Sequence, residues 1–504
     1  MKLYYRLIAF FLALVAVGGS FVACGNGKEP LTTDEQESII DKQESTTESK
    51  EIVADSAEVT TDIEDLLSIS KNDYDTDFLL WIMKDTNEVR YHWVEESKND
   101  VLSQAIYTRQ QNVLAYLGVN IIGKELSDYQ EYATPFKTAV KNKDGSVDTM
   151  LCHVYASVPT LVSENYLTDI STLPGINIDA DYWNQEFMTD LALDGRYFLG
   201  FSDFNILYTH VITFNKDLME KYGDSLDKSV YDMVRAKEWT VDQMILLANL
   251  VYIDQTSDGK SVDDIFGITG LHQNEFTGFL HASGIKIVEQ DSTGEYTVAL
   301  MNDKNKEKTV ALVDKLCNLC ASDCSYFDYR KFSSPSVSLT SDRTLMHLNR
   351  TSALEGYLNY DISFGVLPYP LWDSEQDDYH HLQWGGYITV PAYLRDTQMA
   401  SETLEMLSYY SADVKTAYYE KMLGKQVADV PDDSQMLAIV WDTVCTDIAQ
   451  TYCQTLGGTD LLYMLSTVTE SNSGANIAST VAKLERTANT AIKKYIRKVE
   501  ANKG

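Results

Sequence analysis

Positive charge is scarce in this chain. Its 504 residues hold 41 Lys and Arg against 75 Asp and Glu, a formal net charge of −34. That balance argues against a nucleic-acid partner, whose affinity comes from cations neutralising phosphates. It also argues against a polybasic membrane-binding surface. Long apolar runs are missing too. The longest, Leu7–Val17, falls well short of the roughly 20 residues that a spanning helix wants, and none after it approaches that length. Enzyme signatures are absent: there is no G-x-S-x-G, no H-E-x-x-H and no complete P-loop. Gly259-Lys260-Ser261 ends like a P-loop, but Asp254 stands where its first glycine belongs. Among 75 acids, carboxylate pairs arise by chance and carry no weight. No internal repeat is visible.

The N-terminus carries a pattern. Lys2 and Arg6 precede the apolar run, and Gly18-Gly19-Ser20 follows it. A charged start, a short apolar core and a small-residue site make a secretory signal. Cys24 comes directly after Ala23, which resembles the lipobox of bacterial lipoproteins; Phe21 departs from the usual Leu. The resemblance implies a signal peptide over residues 1–24, lipidation at Cys24 and a cell-membrane anchor on the extracytoplasmic face. The plainer alternative is an ordinary cleaved signal with a fortuitous cysteine. Residues 25–72 hold 13 acids, four Lys, 12 Ser or Thr and no aromatic residue. Such a segment cannot bury enough apolar surface to order itself and reads as an acidic tether.

From Tyr74 onward the chain alternates strand and helix. Phe78–Ile82 is an apolar run of strand length, Val101–Leu117 an amphipathic helix closed by Gly118, and Val119–Ile122 a second strand. A helix over 129–141 and a strand over 148–155 complete the pattern of a doubly wound α/β sheet, in which ligands sit beyond the carboxyl ends of strands. Thr240 and Gln243 fit a capping box. Later helices are expected over 307–324, 399–410, 435–456 and 476–500. Cys317, Cys320 and Cys324 continue the helical stripe of Val313 and Leu316, which favours core packing, with a disulfide or metal site left open. The disulfide state of Cys445 and Cys453 is open as well. Asp254–Asp264 fits part of a calcium loop, but Ile265 stands at its twelfth position, and an Asp-Gly turn is the simpler reading. His380-His381 reads as a surface pair, so no metal site is assigned.

Five segments in order carry a family likeness: YWNQ (182–185), DGRYFLGFSDFN (194–205), ITFNKDLMEKYG (212–223), YDMVRAKEWTVDQM (231–244) and DIFGITG (264–270). With AIYTRQQNVLAYLGVNI (105–121) and FGVLPYPLWDSEQDDYHHLQWGGYITVPAYL (364–394), the chain resembles the solute-binding lipoproteins of ABC importers, nearest to their carbohydrate-binding members. The resemblance implies a two-lobed, type II periplasmic-binding-protein-like α/β fold. Lobe 1 would take 75–207 and 364–412, and lobe 2 would take 208–363 and 413–504. Crossings would fall near 205–210, near 361–367 and after Tyr410.

A sugar cleft asks for an aromatic face under the ring and planar polar groups on the hydroxyls. By position or by resemblance the candidates are Trp81, Tyr155, Ser157, Asp203, Asn205, Arg350 and Trp384. Asp203 and Asn205 lead, because a crossover residue touches both lobes. Trp183, Trp239, Trp372 and Trp441 are expected in the core or on a lobe surface. The function implied is capture of a small solute, an oligosaccharide or sugar, for delivery to the transmembrane subunits of an ABC permease, with no cofactor and no catalysis. A sensor lipoprotein that keeps the binding fold, or an exported glycan hydrolase, are the rival readings.

Overall fold

The computed structural model describes residues 63–84, 89–126, 132–154, 157–223, 226–291, 293–328, 336–472 and 474–502. The signal, Cys24, residues 25–62 of the tether and Tyr155 lie outside these described residues.

The first sheet grows around strand Thr76–Met83. Phe78, Leu80 and Ile82 face one apolar cluster, Trp81 and Met83 the other. Burial on both sides is why the segment reads as a continuous apolar run. Strands Val119–Leu126 and Thr149–Cys152 flank it in parallel, with Phe78 opposite Ile121 and Trp81 opposite Met150. Strand Tyr387–Thr389 closes the edge antiparallel to Thr149–Cys152. Helix Val101–Leu117 connects the first two strands. Asp100 caps it through Ser103 N at 3.1 Å, and Gly118 ends it at φ 64°. A Cβ at Gly118 would lie 2.2 Å from Asp73 Oδ1, so this C-cap admits only glycine.

The expected tether ends earlier than residue 72. Residues Ile63–Leu67 form a helical turn, and Leu67 and Ile69 are buried in the first sheet's core. Tyr116 donates to Ile69 O at 2.7 Å, fixing the segment to helix Val101–Leu117.

The second sheet orders Phe364–Leu367, His210–Asn215, Thr344–Arg350 and Ile265–Leu271, with Tyr252–Ile253 and Ser325–Asp328 both paired to the last. Thr344–Arg350, Ile265–Leu271 and Ser325–Asp328 run parallel. Phe364–Leu367, expected in lobe 1, pairs antiparallel with His210–Asn215 and belongs to this sheet. The chain therefore returns to the first sheet between Leu367 and Tyr387.

The crossings are stitched together. Trp384 N donates to Tyr208 O at 2.6 Å. Gln383 accepts from Tyr208 N at 3.1 Å and donates to Ile206 O at 2.8 Å. A Cβ at Gly385 would lie 2.5 Å from Gln383 Nε2, so the tight approach depends on glycine there. The third passage joins helix Thr397–Tyr409 to helix Ala412–Leu423, and there Ser408 Oγ meets Ser202 Oγ at 2.9 Å.

The helix expected over 435–456 is broken. Helix Pro431–Asp442 ends, strand Val444–Cys445 pairs with His381–Leu382, and helix Ile448–Thr451 follows. The last helix, Ile477–Ala501, touches both bodies: Tyr495 donates to Pro159 O at 2.9 Å, and Asn489 accepts from Val298 N at 2.8 Å. No helix among the described residues is long and apolar enough to cross a membrane.

Candidate functional site

Strand Thr344–Arg350 runs through the buried Leu345, Met346 and Leu348 and ends on Arg350. Its parallel neighbour Ile265–Leu271 leads straight into helix His272–Ala282, which carries Glu275 in its first turn. Parallel pairing thus brings the end of one strand and the start of one helix together, where α/β proteins hold ligands. Arg350 Nη2 lies 3.3 Å from Glu275 Oε1, and their side chains are 18% and 5% exposed.

Aromatic rings from the crossings surround this pair. The Arg350 guanidinium lies 5.8 Å from the Trp384 ring and 5.9 Å from that of Tyr208, and its Nη1 donates to Tyr208 Oη at 3.5 Å. Trp384 lies parallel to Tyr463, with centroids 6.4 Å apart, and meets His210 edge-on at 5.8 Å. Three buried atoms in this cluster have no hydrogen-bond partner among the described residues: Arg350 Nε, Trp384 Nε1 and Glu275 Oε2. Native proteins rarely leave such atoms unpaired, because each costs about 1–3 kcal/mol. Two donors and one acceptor beside aromatic faces suit a hydroxylated ring.

Burial pushes the Glu275 carboxyl above its ordinary value, and Arg350 offsets part of the rise. Burial also opposes charge on Arg350, but Glu275 and Tyr208 more than compensate, and its value stands above the ordinary one. A guanidinium keeps its proton throughout the accessible range, and at 3.3 Å it faces the Glu275 carboxyl in ion-pair geometry.

Of the expected site residues, Arg350 and Trp384 are brought together. Trp81 lies in the first sheet, 3% exposed, edge-on to Phe136 at 6.4 Å with the Lys124 ammonium 4.2 Å over its ring. Ser157 is half-buried at the start of helix Val158–Ser163, at φ 63°. Asp203 lines a separate cavity of about 320 Å³ with Tyr182, Trp183, Lys415, Trp441 and Asp442. The Lys415 ammonium there stands 3.6 Å from Asp203 and from Asp442. Burial raises the Asp203 carboxyl, with Lys415 opposing. Asn205 is 2% exposed and spends its amide on the crossings, accepting from Ser202 N at 2.9 Å and donating to Gly386 O at 2.8 Å.

The remaining tryptophans pack as expected: Trp183, Trp239 and Trp441 are buried and Trp372 is half-buried. His381 departs from the surface reading. It is 2% exposed, hydrogen-bonded at both ring nitrogens to Tyr369 N and Thr443 Oγ1. In the loop tested for calcium, Asp254 and Asp264 turn their carboxylates to backbone N–H groups of Ser257, Gly259, Gln255 and Ser261. No group of three or more His, Cys, Asp or Glu among the described residues is placed to hold a metal ion. The six cysteines described are free thiols; Cys317 and Cys324 are buried, and Cys324 lies past the end of helix Lys306–Ala321.

Sequence reasoning missed Glu275, Tyr208 and Tyr463. Glu275 comes five residues after the end of the segment DIFGITG, so its place beyond a strand's carboxyl end was a usable signal. Tyr208 sits inside the expected first crossing. Tyr463 had no signal, lying 79 residues from Trp384 in sequence.

Two α/β sheets joined by hydrogen-bonded chain passages, with a buried aromatic and polar cluster around Arg350 and Trp384, are the architecture of a two-lobed binding protein. The chain belongs to the bacterial extracellular solute-binding protein family, whose model matches residues 115–428. No curated protein sequence matches the chain. Among solved structures it is similar to the GacH receptor of Streptomyces glaucescens, studied unliganded and with acarbose, at 16% identity and a TM-score of 0.51, covering 82% of this chain and 98% of that one. It is similar to the cyclic alpha-maltosyl-1,6-maltose binding protein of Arthrobacter globiformis at 12% identity and a TM-score of 0.56, covering 83% and 99%. An ABC transporter solute-binding protein of Thermotoga lettingae, bound with alpha-D-tagatose, gives 13% identity, a TM-score of 0.50 and coverage of 83% and 100%. At these identities the likeness is one of fold.

Proposed function

We propose that this solute-binding protein captures a carbohydrate, an oligosaccharide or sugar, between its two lobes and presents it to an ABC permease. The observation that carries this reading is the junction cluster. Arg350, Glu275 and Trp384 each hold an unused buried polar atom beside the aromatic faces of Trp384, Tyr208 and Tyr463. The names of the structural neighbours, several of which bind sugars, support the same ligand class.

Lobe 1 in this reading is built on the first sheet and lobe 2 on the second. Ser157, just past the carboxyl end of strand Thr149–Cys152, belongs to the facing wall. Asp203 and Asn205 serve the crossings rather than the ligand. The ligand bridges the lobes and stabilises the closed form by its differential affinity for it, through a hinge at the crossings. No bond is made or broken. The lipid on Cys24 and an acidic tether ending near residue 62 hold the body outside the cytoplasmic membrane; two or more acyl chains suffice for stable anchoring.

A thermal-shift screen against neutral oligosaccharides tests the reading. A ligand at 100 times its Kd adds roughly 2.7 kcal/mol of stability. A flat response across sugars, with a shift from peptides instead, refutes it.

A further inference from the structure

Arg350 is the cation of the junction, and its setting decides which sugars suit the site. A buried guanidinium with a free face recruits carboxylates through paired hydrogen bonds. Here one arm of that fork already faces Glu275 at 3.3 Å, and the Glu275 side chain is only 5% exposed. The pair is neutral as a unit. What it leaves unused is one donor, Arg350 Nε, and one acceptor, Glu275 Oε2, to which Trp384 Nε1 adds a second donor. Hydroxyl groups can both donate and accept and so match this set; an ionised carboxylate can only accept. A ligand carboxylate brought to this cluster meets the unpartnered oxygen of Glu275. The chain's net charge of −34 adds a long-range repulsion of anions.

We propose that Glu275 is the specificity-determining residue of this site: by neutralising Arg350 it admits uncharged sugars and rejects acidic ones. The inference rests on the carbohydrate reading of the junction.

The test uses the purified protein at pH 7.5 with neutral gluco-oligosaccharides and oligogalacturonides of matched length, read by isothermal titration. The wild type should bind a neutral member at least roughly 30-fold more tightly than its acidic counterpart, since like-charge contacts cost several kcal/mol. Glu275→Gln keeps the shape and frees the guanidinium. It should gain about tenfold or more for the acidic series, while loss of the carboxylate acceptor weakens the neutral series. Arg350→Gln reads in the opposite sense: the carboxylate left alone should improve binding of glucosamine oligomers and leave the acidic series excluded. Should Glu275→Gln not fold, the wild-type ratio and Arg350→Gln decide. Equal wild-type affinity for both series overturns the inference and leaves the carbohydrate reading standing. So does a Glu275→Gln protein that still binds neutral sugars without gaining acidic binding. Silence of every sugar toward every variant overturns both.

Discussion

Acid should destabilise this protein through its buried histidines, and His381 gives the cleanest case. Its Nε2 accepts the Tyr369 N–H at 3.1 Å, so that nitrogen is bare. The proton therefore sits on Nδ1, which donates to Thr443 Oγ1 at 2.8 Å, and that hydroxyl donates onward to Ile439 O at 2.7 Å. A second proton would break the Tyr369 bond and bury a cation. Burial first, and His380 second, hold the imidazole down to about 3. An unfolded histidine titrates near 6.5. Between those values the unfolded chain binds a proton that the folded one refuses, so stability rises with pH across the window and falls on acidification. From pH 7.5 to 5.5 the loss from this one group is about 1.4 kcal/mol. Burial also holds His92 and His272 near 3 and His153 and His347 near 4, all with the same sign. Carboxyls raised by burial, among them Asp190 and Glu405, gain stability as the pH falls toward 4 and so oppose the trend. A comparison with His381→Gln removes these shared effects. Urea unfolding of both proteins at pH 7.5, 6.5 and 5.5 should show the wild-type advantage shrinking by about 1.4 kcal/mol over the range. An advantage that stays constant would refute the assignment of a neutral, doubly bonded His381.

Four further outcomes are expected. Trp384→Ala removes an aromatic face and an unpaired donor from the junction; it should weaken oligosaccharide binding by about 2 kcal/mol, roughly 30-fold by titration calorimetry. Asn205→Ala breaks two buried hydrogen bonds, one local to Ser202 and one across to Gly386, and should cost about 2–3 kcal/mol in chemical denaturation, while Asp203→Asn should leave ligand affinity within about twofold. Gly118→Ala forces a side chain into the positive-φ cap against Asp73 and should cost about 1 kcal/mol or more, seen as a lower Tm. Cys24→Ser should abolish incorporation of labelled palmitate and release the protein from the membrane fraction.

Much of the architecture was legible where the information is local. Asp100 and Gly118 bound helix Val101–Leu117, and Phe78–Ile82 announces a strand buried on both faces. Pairing was harder to read, because a strand does not name its partner: Phe364–Leu367 reads equally well in either sheet. The break at Val444–Cys445 is hidden for the same reason. Its helical pattern continues across the gap, and only the distant His381–Leu382 interrupts it. Leu67 and Ile69 sit in polar sequence and are ordered by contacts that their neighbours do not foretell. Within the site, strand-end position pointed to Arg350, and Trp384 was a candidate by its position just before a strand. Asn205 was expected at a crossing, and its amide is consumed in hydrogen bonds to Ser202 and Gly386. Charge pairing with Glu275 and stacking with Tyr463 depend on tertiary approach alone.

Strand Tyr387–Thr389 completes an edge begun by Thr149–Cys152, and Phe364–Leu367 does the same for His210–Asn215. A copy emerging N-terminus first therefore carries a bare, apolar sheet margin while some 230 further residues are still being made. Neither half can mature ahead of the other. Unpaired edges of this kind favour association between newly made chains, which makes aggregation during folding a hazard of this topology.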